Sequence, residues 1–168
     1  MYRHPGVPHL EYFVISDSLN RWLTLGANLG VLVGIILLIV ELNQNRGMMR
    51  AQIRHELAMG IVDLLQVPAS NEQLADLMYR AHSGEEITPR EQFQFELRTN
   101  ALFRYWEDVH YQYRVGLYDE IEFGKQRDAW KASFANSNRA VNYWCQVRSL
   151  YSPDFMSELD RLLTDNAC

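Results

Sequence analysis

The sequence predicts an all-α protein, with one N-terminal transmembrane helix continuing into a cytosolic bundle of about five or six helices. Three observations carry that prediction. Residues 22–40, WLTLGANLGVLVGIILLIV, hold no charged residue and approach the ~20 apolar residues a helix needs to cross a bilayer. Beyond them, apolar residues recur at threes and fours, the period of a helix face. Helix-start and helix-stop residues punctuate that pattern in order, and no strand signal interrupts it.

The first element is a short tail, residues 1–20, broken by Pro5, Gly6 and Pro8. Tyr12, Phe13 and Trp22 suit the membrane–water interface, where amphipathic rings are favoured. The span itself takes residues 21–42. A secretory signal would have a shorter apolar core and a small-residue cleavage site. Here the run leads into Glu41-Leu42-Asn43-Gln44-Asn45 without an A-x-A pattern, so the span is read as retained. Arg46, Arg50 and Arg54 follow it closely, against Arg3 and Arg21 before it. The positive-inside rule then leans toward a cytosolic domain over residues 43–168 and a non-cytoplasmic tail.

The helical pattern continues past the span. Ile53, Leu57, Ile61 and Leu64 share one face, and Arg46 and Arg50 project onto it with Arg54 beside them. The three arginines are therefore candidates for lipid-headgroup contact. Pro68 is expected to end this helix. Asn71 can cap a short helix carrying Leu74, Leu77 and Met78, finished near Gly84. Thr88-Pro89-Arg90-Glu91 supplies an N-cap, a proline at the first helical position and a capping-box glutamate.

That helix should run to about Val115, with Gly116 as its stop. It carries Phe95, Thr99, Leu102, Trp106, Val109 and Tyr113 on one face and Phe93, Leu97 and Ala101 on the other. A helix apolar on both sides is expected to be surrounded. Asp119 and Glu122 open a further helix through Trp130 and Phe134. Residues 137–151 read as helix, and Ser152-Pro153 starts a last one with Phe155, Leu159, Leu162 and Leu163.

Composition bounds the function. With 168 residues, 48% of them hydrophobic, the chain has room for one span and one modest domain. A formal net charge of −5 argues against a general nucleic-acid binder. Cys145 and Cys168 are too few for a disulfide framework, and a reducing setting with Cys145 as an inert core thiol is expected.

Within the span, Gly26, Gly30 and Gly34 fall at i, i+4 and i+8, with Asn28 beside them. Such a ridge lets another helix approach backbone to backbone, and an intramembrane asparagine seeks a polar partner. In the domain, Glu107-x-x-His110 has the i, i+3 spacing of di-iron bundles, but the motif occurs once and such sites need it twice. The expectation is a histidine held in the core, with no metal and no cofactor. His55-Glu56-Leu57-Ala58-Met59 resembles a zinc-protease motif, but Met59 stands where the second histidine must be. Glu107, Gln112 and Arg148 are expected to form one polar network between the long helix and the helix of Trp144, since buried polar groups need partners. The alternative is a ligand site beside Glu107, His110 and Tyr113.

The residues Val40-Glu41-Leu42-Asn43-Gln44-Asn45 and the segment EDVHYQYRVGLYDE over residues 107–120 carry a resemblance, completed by Trp130, Trp144, Arg148 and Ser152-Pro153-Asp154-Phe155. In them the chain resembles a loosely defined family of uncharacterised bacterial membrane proteins with one N-terminal span and a cytosolic helical domain. The resemblance implies a bacterial inner-membrane protein and lends no catalytic residue. The expected function is a membrane-anchored interaction or scaffold module, contacting lipid and associating with itself or a membrane partner. A small membrane-tethered enzyme or sensor is the alternative.

Overall fold

The computed structural model of the chain describes residues 10–163 and residue 168, with side chains from residue 18 onward. The expected helix breakers Pro5, Gly6 and Pro8 lie outside the described residues, as do the side chains of Tyr12 and Phe13. Six α-helices and one 3-10 turn account for the ordered elements, and no strand occurs among the described residues. They are α1 (Leu10–Ala69), α2 (Glu72–His82), α3 (Pro89–Arg114), α4 (Glu120–Ala135), α5 (Asn138–Val147), the turn Arg148–Leu150, and α6 (Pro153–Asp160). The chain divides into two compact units, Met1–Gly47 and Met48–Cys168.

In the first unit, α1 is already helical at Leu10, so the second half of the expected tail belongs to the helix. Every large apolar side chain over residues 22–40 is between 46% and 69% exposed.

The second unit is built from local signals that the sequence spells out. Asn71 accepts the Leu74 N–H at 3.1 Å to start α2. Thr88 and Glu91 close a reciprocal capping box at the start of α3, and Pro89 sits at its first position. Glu91 also pairs with Arg80 of α2, and hydrogen bonds from Arg80 and Thr88 pull its carboxyl down to about 2.

Gly84 and Gly116 take φ values of 79° and 76°, which side chains other than glycine rarely adopt. Each ends a helix in the same way. The Glu85 N–H reaches Arg80 O at 3.0 Å, and the Leu117 N–H reaches Gln112 O at 2.9 Å, the long bond of a Schellman stop. Asp119 caps α4 through the N–H groups of Ile121 and Glu122.

Three expected boundaries move. Pro68 lies inside the last turn of α1, which closes one residue later at Ala69. The expected helix over residues 137–151 is shorter, because Ser137 caps α5 and the chain tightens into a 3-10 turn after Val147. Leu162 and Leu163 follow α6 instead of belonging to it, yet both pack against the core.

That core is aromatic. Trp106 stacks on Trp130 at 5.4 Å between ring centroids. Phe103 meets Phe134, Trp144 and Tyr151 within 6.4 Å. Trp144 and Phe155 are 0% exposed, and truncating such anchors typically costs ~3–5 kcal/mol. The stripe on α1 joins them: Leu57 is buried, and its carbonyl accepts the Tyr105 hydroxyl at 3.0 Å. Gly60 makes room for that contact, because a Cβ there would stand 3.3 Å from the Tyr105 ring.

One expectation fails at α3. Phe95, Thr99, Phe103, Trp106, Val109 and His110 are buried as one face, but Phe93 and Leu97 on the other are 60% and 55% exposed. The helix is covered on one side only, because Leu57 of α1, Ala81 of α2 and the later helices all contribute to the core on its buried face.

Candidate functional site

Two groups of residues were singled out by the sequence, one in each unit. Along the apolar helix, Gly26, Gly30 and Gly34 have nothing within 4 Å of where a Cβ would stand. The ridge is open, and Asn28 is exposed beside it. A larger residue at these positions meets no obstacle among the described residues.

In the second unit, the candidate network Glu107, Gln112 and Arg148 is not one network. Glu107 Oε1 accepts the Ser152 backbone N–H at 2.8 Å, and Oε2 accepts from Arg104 Nη1 at 2.8 Å. Arg148 Nη1 donates instead to Asp160 Oδ2 at 2.8 Å, while Asp160 Oδ1 accepts the Trp144 indole N–H at 2.9 Å. Gln112 donates to Asp108 at 3.1 Å, one turn back on its own helix. The expectation failed because each polar group found a partner nearer than the other candidates. Burial works against the Glu107 carboxylate, but the Ser152 N–H and the Arg104 guanidinium outweigh it and hold its pKa below the ordinary range.

His110 and Tyr113 are core residues. The His110 ring lies 5.9 Å from Phe123 and 5.8 Å from Phe155. Tyr113 stacks on Phe123 at 4.0 Å with the planes 7° apart. Burial pushes the imidazole pKa down, with Arg114 and Arg161 acting in the same direction and Glu158 and Asp154 opposing. Glu107 is engaged elsewhere, so the E-x-x-H spacing brings no shared site. Among the clefts on this unit are four of 460–640 Å³; Tyr113 lines the one of 530 Å³, and neither Glu107 nor His110 lines any of the four.

Two of the candidate headgroup arginines have partners inside the protein. Arg50 Nε donates to Gly116 O at 3.1 Å, and Arg54 pairs with Glu122 at 2.8 Å. They tie α1 to the turn after α3 and to the first turn of α4. The sequence placed the Gly116 stop but not this role, because Arg50 and Gly116 lie 66 residues apart and meet only through the fold.

The cysteines are also corrected. Cys145 and Cys168 form a disulfide with their Cα atoms 5.3 Å apart. Sequence spacing could not reveal it, because pairing depends on the chain turning back after α6. Leu162 and Leu163 mark that return, lining one cleft together with Val141 of α5. Arg139 is a further residue that the sequence reading missed: it donates to Gln92 at 3.2 Å and to Glu85 O at 2.9 Å, tying α5 to the start of α3.

The fold and these contacts define a helical bundle attached to a long apolar helix. No protein-family model, curated protein or solved structure matches the chain.

Proposed function

We propose that this chain is a membrane-anchored helical interaction module, held by a single span that associates with a second span along Gly26, Gly30 and Gly34. The observation that supports this reading is the exposure of the apolar run. No residue of its most apolar window is buried by the rest of the chain, so that surface needs a cover other than water. A core helix of a soluble domain would be covered by its neighbours. A bilayer supplies the cover, and the helix is long and apolar enough to cross one. Asn28 then adds a polar contact next to the ridge. Arg46 remains the candidate for lipid headgroups, and we propose a bacterial inner membrane as the location.

The disulfide bears on sidedness. Disulfides persist on the oxidising side of membranes and are rare in the cytosol. The arginine count leans the other way, but Arg50 and Arg54 have partners within the domain that account for them without a membrane. We favour the domain on the oxidising face.

The test is membrane extraction and association. The full chain should stay with the membrane through alkaline carbonate. Gly30→Leu and Gly34→Leu should weaken span association in a membrane dimerisation assay. Because these positions are open in the single chain, loss of association would report on the partner helix. A chain that washes off the membrane, or unchanged association in both variants, sinks the proposal. An alkaline phosphatase fusion after residue 168 should be active on the oxidising side and silent if the domain is cytosolic.

A further inference from the structure

The uncovered side of α3 forms one wall of a 460 Å³ groove between the end of α1, the start of α2 and α3. Its apolar walls come from Leu64, Val67, Leu74, Leu97 and Ala101, and the rest is side-chain amides apart from one cation, Arg98. No acidic residue lines it. Arg98 is half-buried, its Nε is sealed from solvent, and that nitrogen has no hydrogen-bond partner among the described residues. Burial alone pushes its guanidinium below its ordinary value, and no carboxylate nearby offsets the shift.

Several arginines of this unit are matched to acids, Arg54 to Glu122, Arg80 to Glu91 and Asp76, Arg127 to Glu158 and Arg148 to Asp160, while Arg50 and Arg139 donate to carbonyl or amide oxygens. A half-buried guanidinium with no acid partner, its terminal nitrogens still open, favours an anion in the groove beside it. The groove therefore asks for two things from one occupant: an apolar body against the leucines and a carboxylate on Arg98. Its volume falls within the range of small-molecule sites. The stretch of α3 that lines it, residues 94–101, is ~10 Å long, which suits a chain of moderate length.

We propose that this groove binds a medium-chain carboxylate, with the alkyl chain along Leu64, Val67 and Leu97 and the headgroup on Arg98. The groove lies within the second unit, so the proposal stands independently of the membrane reading.

The test uses the full chain in nanodiscs and two photoactivatable probes, a diazirine decanoate and the matching diazirine decanol, each below its micelle concentration. Mass spectrometry then maps the labelled residues. Decanoate should label residues 64–74 and 94–101, and decanol should label them about tenfold less, the factor expected for losing one charge-assisted contact. Excess unlabelled decanoate should compete, whereas phosphatidylglycerol in the nanodisc should not, which separates a free acid from a diacyl anionic lipid. Arg98→Gln should reduce labelling to the decanol level, and Arg98→Lys should retain most of it. Equal labelling by acid and alcohol overturns the proposal, as does labelling confined to residues 22–40. Labelling that Arg98→Gln leaves unchanged overturns it too. The comparison of the two probes uses the unaltered chain, so it holds even where a variant fails to fold.

Discussion

Glu107, in the middle of α3, accepts the backbone N–H of Ser152, the residue that opens α6, at 2.8 Å. The Ser152 hydroxyl makes no capping bond of its own, so a side chain 45 residues away orders the entry to this helix. The bond is exposed, so water can replace the lost acceptor and its removal costs about 0.5–1.5 kcal/mol. Glu107→Ala should lose that much in chemical unfolding of the domain. Glu107→Gln keeps an acceptor and forfeits only the pairing with Arg104, so its loss should stay under ~1 kcal/mol. Because Glu107 and Arg148 have separate partners, Glu107→Ala and Arg148→Ala should add without coupling. A large coupling energy would restore the single network.

Asp160 serves two donors at once, the Trp144 indole at 2.9 Å and Arg148 at 2.8 Å. Trp144 is 0% exposed, so Asp160→Ala leaves its N–H without its partner at a cost of about 1–3 kcal/mol. Asp160→Asn keeps an oxygen for the indole and should lose clearly less. Thermal unfolding followed by tryptophan fluorescence separates the two. Equal losses in both variants would mean that the ion pair with Arg148, and not the indole bond, carries the effect.

The contrast between these residues and the capping residues explains what could be read from the sequence. Thr88 with Glu91, Asn71, Asp119 and Gly116 act over a few residues, so their roles are visible in order along the chain. The face of Phe95, Trp106 and Val109 is visible for the same reason, since periodicity is local. Glu107 with Ser152, Trp144 with Asp160, and Cys145 with Cys168 join residues brought together only by the path of the chain. Phe93 and Leu97 mark the limit most clearly. Their spacing is that of a buried face, yet nothing in the described chain covers them, and Arg98 beside them has no acid to meet.

The Cys145–Cys168 bond closes a loop of 23 residues. In the chain-entropy account, a loop of that order stabilises a fold by ~3 kcal/mol. Cys145→Ser should therefore lower unfolding stability by about 2–3 kcal/mol and expose the second thiol to alkylation. Unmodified protein, isolated under alkylating conditions, should take up no maleimide until it is reduced. Alkylation of both cysteines without reductant would remove the bond, and with it the argument for the oxidising face.

His110 gives the domain a defined response to acid. Its pKa is depressed below the ordinary 6.5 chiefly by burial, against the opposing field of Glu158. Below 6.5 the unfolded chain takes up a proton that the folded chain refuses, so this contribution to stability is present above that pH and fades as pH falls. Charging the ring would also strip it from its place between Phe123 and Phe155. The unfolding free energy should drop as pH falls from 6.5 toward the folded value, and His110→Phe should flatten the slope in that window. Nuclear magnetic resonance titration of the His110 ring reads the same quantity directly. A midpoint at or above 6.5 would show that Glu158 outweighs burial and would reverse the sign of the slope.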